Sequence, residues 1–254
     1  MKKQTTNKRK LKTPLDMLAG YTHAMLDGDN IIVINYTDSR TVDIRFVGYV
    51  ELMTVQAGNI RRGTIKNLMK PNVFGKGFFG VGSYSMGAAY TIWTNMLRRC
   101  YCHKSLAKRP SYTDCYVVDD WLNFQNFARW FHKESSYVEG FHLDKDLCVQ
   151  NNKAYGPKYC KFIPVEVNNA VLSRNASRGK YKLGVYWKKE NNKFAAQYSK
   201  EGASNQEYLG LFDSENEAHE AYKKCKYAYL KKLAERQEDT QVKKALVGWV
   251  IPEY

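Results

Sequence analysis

No run of eighteen apolar residues occurs anywhere in the 254-residue chain, and a membrane-crossing helix needs about that many. The basic N-terminus is not followed by an apolar segment, so no secretory signal is expected. The six cysteines (100, 102, 115, 148, 160 and 225) contain no Cys-x-x-Cys pair, and the plain expectation is reduced thiols in a cytoplasm. Cys100-Tyr101-Cys102-His103 with Cys115 comes nearest to a zinc set, but its spacing is not that of a finger. The glycine-rich run 75–80 lacks Walker spacing, so a nucleotide-binding loop of that kind is not expected. Acid is also short: 25 Asp and Glu stand against 40 Lys and Arg, a formal net charge of +15. Such a field favours a polyanion, and with no amphipathic membrane helix in view that partner is nucleic acid and not a membrane.

What is present is aromatic and patterned. With 19 Tyr, 11 Phe and 5 Trp the chain has the material for cores, which argues against disorder away from its ends. Its length allows one large or two ordinary domains. Residues 1–15 form a basic arm without apolar period, expected to be flexible. Residues 16–87 are strand-rich: the run from Asn30, the turn Thr37-Asp38-Ser39-Arg40 and the alternation of Val42, Ile44 and Phe46 with Asp43 and Arg45 predict a hairpin. A third strand is expected within Tyr49–Val55. Arg61, Arg62, Lys66, Lys70 and Lys76 surround the glycine-rich run 75–80, and a phosphate-contacting surface is expected there. Residues 88–103 carry a helical period. Asp119 or Asp120 is placed to cap a second helix whose stripe of Trp121, Phe124, Phe127, Ala128, Trp130 and Phe131 is core.

The segment 179–237 is the most strongly patterned. Three aromatic-rich runs, KLGVYWKK, KFAAQYSK and EYLGLF, are separated by turn-like clusters at 190–192 and 201–205. A helical period follows through Ala218, Ala221, Tyr222, Cys225, Tyr229 and Leu233, with Asp213 or Ser214 as N-cap. The pattern predicts a three-stranded sheet packed on one helix. His219 is expected on that helix's exposed face. Gly184-Val185-Tyr186-Trp187, Phe194-Ala195-Ala196, Leu209-Gly210-Leu211-Phe212-Asp213 and Glu217-Ala218 through Ala221-Tyr222 resemble the DNA-binding domain of plant ethylene-response factors, which also occurs in phage homing endonucleases. The resemblance implies a sheet that enters the DNA major groove, backed by the helix. It implies base or phosphate contacts from Tyr186, Lys188, Lys193, Phe194, Gln197 and Tyr198. Tyr186 and Trp187 cannot share a strand face, so one of them belongs to the core. Leu183 stands where the family usually has Arg, so base specificity does not transfer.

Residues 88–172 resemble, through WTNMLRRCY, WLNFQNFARW, LDKD and YGPKYCKFIP, phage endonucleases of the HNH type. The leading segment, with its GYV, NIRRG, IKN and GKGFFG, resembles the same enzymes. That family holds one divalent metal in a hairpin and helix, and a histidine activates water. The resemblance implies Mg2+ or a similar divalent ion if the chain is active, with Asp144 as ligand. It places Lys145 where the catalytic histidine usually stands, leaving His142 and Lys145 as the candidate catalytic residues. Lys145 serves either as a phosphate contact or, if its pKa is lowered by burial and nearby positive charge, as a base. Asn151 or Asn152 is a candidate structural asparagine.

Residues 173–178 are expected to link this HNH-like body to the C-terminal module. In the tail, 238–254, the stretch 236–244 is expected to be extended or frayed, and the apolar run Ala245–Pro252 to dock either on the body or on a protein partner. The fold class expected is α+β. The function expected is binding of double-stranded DNA in a bacterial host cytoplasm. Cleavage with a divalent metal, catalytically inactive binding, and inhibition of an acidic DNA-processing partner remain the three alternatives.

Overall fold

A computed structural model describes residues 12–171, 180–199 and 206–253. The basic arm up to residue 11, the linker at 173–178 and the turn cluster at 201–205 lie outside the described residues. The elements mix helix and strand, as the α+β expectation has it. In chain order they are β1 (Thr22–Ala24), β2 (Asn30–Asp38), β3 (Thr41–Phe46), β4 (Leu52–Val55), α1 (Ala57–Arg61), α2 (Ala88–Tyr101), α3 (His103–Lys108), β5 (Tyr116–Val117), α4 (Asp119–Leu122) and α5 (Phe124–Lys133). There follow β6 (His142–Asp144), β7 (Ala154–Tyr155), β8 (Lys161–Ile163), α6 (Val165–Val171), β9 (Val185–Lys188), β10 (Lys193–Ser199), β11 (Gln206–Phe212), α7 (Glu215–Glu235) and α8 (Thr240–Val247). No helix among the described residues is long and apolar enough to cross a membrane.

Two compact units divide the chain: Met1–Tyr101 with Asp119–Ala128, and Cys102–Val118 with Arg129–Tyr254. In the first, β1 to β4 form an antiparallel meander. Val42, Ile44 and Phe46 alternate inward on β3 and close on Ile31 and Val33 of β2. The turn is fixed by Asp38, whose Oδ1 accepts from the Arg40 N–H at 2.7 Å. A second apolar centre of this unit packs Trp93 against Phe124, and the Trp93 indole donates to the Trp121 carbonyl at 2.7 Å. The glycine-rich run serves this centre. A β-carbon at Gly77 would overlap Leu97 and Trp93, and one at Gly80 would overlap Asn123. The glycines therefore permit close packing of chain on chain.

In the second unit β5 pairs with β7 in parallel, β6 pairs with β8, and β9, β10 and β11 make the expected antiparallel sheet in the order β11-β10-β9. Ser214 is the N-cap of α7 and forms a full capping box with Glu217. One apolar core joins these parts: Ile163, Val167 and Val171 lie in the same buried cluster as Tyr198, Tyr222, Leu233, Leu246, Trp249 and Ile251. The C-terminal segment differs from its expectation. Residues 240–247 are helical, because Asp239 caps α8 by accepting from the N–H groups of Gln241 (2.8 Å) and Val242 (3.1 Å). The apolar tail docks on its own unit. Val242, Leu246, Trp249 and Ile251 are buried there, and Gln150 holds the Val250 backbone through Nε2 to its carbonyl (2.5 Å) and Oε1 from its N–H (3.2 Å). Val247 and Val250 of the same segment stay exposed.

Candidate nucleic-acid interface

The register of the three-stranded sheet decides which side chains share a face. Lys193 stands opposite Lys188, Phe194 opposite Trp187, and Ala195 between Tyr186 and Leu211. Leu209 is passed over in the pairing, a bulge on β11, so that Gln197 faces Tyr208. Residues directly opposite one another point the same way, and neighbours along a strand point opposite ways. One face therefore carries Lys188, Lys193, Tyr186, Ala195, Gln197 and Tyr208. The other carries Trp187, Phe194, Ala196 and Tyr198.

The second of these is the helix side. Tyr198 is 4% exposed, its ring 6.1 Å from that of Tyr222 and 6.0 Å from that of Tyr229, both on α7. Phe194 meets Trp187 edge to face at 4.8 Å. Tyr198 and Phe194, expected among the DNA contacts, thus belong to the packing of the module, and alternation along β10 already separates them from Lys193 and Gln197. Trp187, not Tyr186, turns to the helix side. His219 also corrects its expectation. It is 2% exposed, and its Nδ1 lies 2.9 Å from the Leu183 carbonyl. A carbonyl only accepts, so Nδ1 carries the proton there.

Tyr186, Lys188, Lys193 and Gln197 are brought together on the open face, half-buried and beside one another. Tyr208 joins them and was missed by sequence reasoning. It is exposed, and the Lys188 ammonium lies 5.8 Å from its ring centroid. Its signal was the pairing register, which the bulge at Leu209 hides. Lys193 reaches Asp213 at 3.0 Å, an exposed pair that contributes little and is easily exchanged for another anion. Gly184, at φ +81°, brings the start of β9 against α7; a β-carbon there would overlap the Tyr222 ring.

In the first unit Arg61 is engaged by Asp16 through Nε (2.6 Å) and Nη2 (2.9 Å). The hydrogen bond and the charge hold the Asp16 carboxyl below its ordinary value. Arg62 donates to Asn59 at 2.5 Å, and Lys70 reaches Asp29 at 3.0 Å. Lys66 and Lys76 are exposed.

The residues expected to carry chemistry go to separate partners. His142, exposed at the start of β6, has its Nδ1 3.1 Å from Asn168 Nδ2. Asp144 Oδ1 accepts from the N–H groups of Asp146 (2.9 Å) and Leu147 (2.6 Å) and so closes the turn after β6. Burial pushes its carboxyl above the ordinary value. Lys145 is 6% exposed and donates to both Asp146 oxygens at 2.7 Å and to the Asn152 carbonyl at 2.5 Å, below the rings of Tyr112 and Tyr155. Burial alone would lower its pKa; the Asp146 carboxylate outweighs that and leaves the ammonium above its ordinary value. Lys145 is therefore held protonated, the opposite of what a base requires. Asn152 completes the loop by donating to the carbonyls of Lys145 (2.9 Å) and Ala154 (2.7 Å).

The two carboxylates of this loop already have partners. One Asp144 oxygen is taken by backbone donors, the neighbouring carboxylate is neutralised by an ammonium, and among the described residues no group of three His, Cys, Asp or Glu could hold a metal. All six cysteines are free thiols. Comparisons of the chain with protein-family models, curated proteins and solved structures found no match.

Proposed function

We propose that this protein binds double-stranded DNA through the open face of the β9–β10–β11 sheet, and that the 142–146 loop is a structural clamp and not a nuclease centre. The observation that carries the proposal is the direct opposition of Lys188 and Lys193. Like charges opposite each other on a sheet destabilise it; the exposed Asp213 offsets only Lys193 and only weakly, and a polyanion would neutralise both ammonium groups. Tyr186 and Tyr208 add planar surface beside the ammonium groups, and Gln197 adds an amide able to donate and accept. The net charge of +15 attracts the same partner over longer range. The likeness of this module's motifs to the DNA-binding domain of ethylene-response factors supports the same docking mode.

The test is binding of a mixed-sequence duplex by fluorescence anisotropy across a salt series, repeated with Lys188→Ala/Lys193→Ala. Two lost phosphate contacts reduce the slope of log affinity against log salt by about 1.8. An unchanged slope and affinity would remove the sheet face from the interface. Incubation of the same duplex with magnesium, manganese or chelator distinguishes the rival: intact DNA is expected, and discrete metal-dependent fragments would overturn the structural role given to the 142–146 loop.

A further inference from the structure

A cavity of about 580 Å³ lies in the second unit between α8 and the 147–161 segment, within the roughly 300–1,000 Å³ typical of small-molecule sites. Its lining has a sharp division of chemistry. Tyr159 and Trp249 supply aromatic surface, with Tyr159 37% exposed and Trp249 8% exposed. Lys158, Lys161 and Lys244 supply cations, and no carboxylate contributes to the lining. Lys161 is committed to Asp239 at 2.5 Å. Lys158 and Lys244 are exposed and have no ion-pair partner among the described residues. The buried sulfur in the lining adds no anion: burial pushes the Cys160 thiol up to about 12. Gln241, exposed, is also part of the lining, and its side-chain amide can donate and accept. The wall is fixed, because the two bonds between Gln150 and the Val250 backbone hold the chain beside Trp249 in place.

We propose that this cavity is a nucleotide site, in which a nucleobase packs against Tyr159 and Trp249 and its phosphate is held by Lys158 and Lys244. The combination selects the ligand class. A bare inorganic anion leaves the aromatic wall unused, an uncharged aromatic leaves two ammonium groups without a counter-ion, and a nucleoside phosphate uses both. Base stacking on aromatics tolerates any base, so the Gln241 amide is the group that favours one base edge over another. The nucleoside phosphate can be a free mononucleotide or the phosphorylated end of a single strand. The site does not rest on the sheet face, and the two can fail separately.

Isothermal titration of the full chain with AMP, adenosine, inorganic phosphate and a 5′-phosphorylated oligodeoxynucleotide tests it. AMP is expected to bind saturably with one site per chain. Adenosine and inorganic phosphate are each expected to be at least about tenfold weaker. Lys158→Ala/Lys244→Ala is expected to weaken AMP at least about tenfold, and Tyr159→Ala several-fold, whereas Lys188→Ala/Lys193→Ala leaves it unchanged. Trp249 is part of the core, so the two exposed-residue variants carry the test without risk to folding. Oligonucleotide binding that is lost with Lys158→Ala/Lys244→Ala supports a strand end as ligand; AMP binding without it supports a free effector. Absence of saturable AMP binding at millimolar concentration, equal binding of inorganic phosphate, or indifference to Lys158→Ala/Lys244→Ala would overturn the proposal.

Discussion

Replacing Lys145 by methionine separates a structural clamp from a reactive amine. The ammonium makes two bonds to Asp146 at 2.7 Å and one to the Asn152 carbonyl at 2.5 Å. A hydrogen bond to a charged group is worth about 1.5–3 kcal/mol net of water, and stripping one partner from a fully buried pair costs about 3–5 kcal/mol. The Asp146 side chain is 38% exposed, so it takes up water once its partner is gone, and the loss falls to about 2–3 kcal/mol. For a chain of this size that lowers the melting midpoint by roughly 5–10 °C. The assay is thermal unfolding followed by near-ultraviolet circular dichroism, on the transition of the unit that holds the loop. The pH dependence has a definite sign. Because the folded pKa of Lys145 is raised above 10.5, its contribution is fully present below 10.5 and is lost as pH rises through the higher folded value. The gap between wild type and Lys145→Met should therefore be constant from pH 6 to 9 and close only in stronger alkali. A midpoint within about 1 °C of wild type, or a gap that closes near neutrality, would refute the clamp.

Two further substitutions probe the DNA-binding module. Gly184→Ala combines a residue at φ +81° with an overlap on Tyr222; a loss of at least about 2 kcal/mol is expected by urea unfolding, and wild-type stability would mean that β9 approaches α7 less closely. Ser214→Ala removes one half of the α7 capping box and should cost about 1 kcal/mol in the same measurement, with DNA affinity per folded molecule unchanged.

Local pattern made a good part of this fold legible. The alternation of Val42, Ile44 and Phe46, the turn at Asp38-Ser39-Arg40 and the Ser214 cap are each decided by residues close in sequence, and each appears in the structure where the pattern put it. The aromatic stripe from Trp121 to Phe131 is core for the same reason. What was not legible depended on distant partners. His219 is polar and sits among lysines and glutamates in sequence, yet the Leu183 carbonyl, 36 residues away, draws it inside. The stretch 236–244 has no strong apolar period of its own, and α8 becomes stable because Val242 and Leu246 join the buried cluster that also holds Leu233 of α7. The bonds from Lys145 to Asp146 and to the Asn152 carbonyl depend on a loop closure that the sequence does not display. Tyr198 is a different case. Its parity along β10 was available in the sequence, but a tyrosine suits a wet face or a packed one equally well, so residue type outweighed position.

The bonds between Gln150 and Val250 span 100 residues of chain, and this separation governs when the second unit can be assembled during synthesis. The β2–β3 hairpin can pair as soon as it leaves the ribosome, since both partners are adjacent. The apolar sides of α6 and α7 must instead wait for Trp249 and Ile251 to emerge before their shared core closes. Non-local closure of this kind is slow and leaves nascent apolar surface uncovered meanwhile. The second unit therefore closes its core later in synthesis than the β2–β3 hairpin pairs, and its apolar surface stays open over that interval.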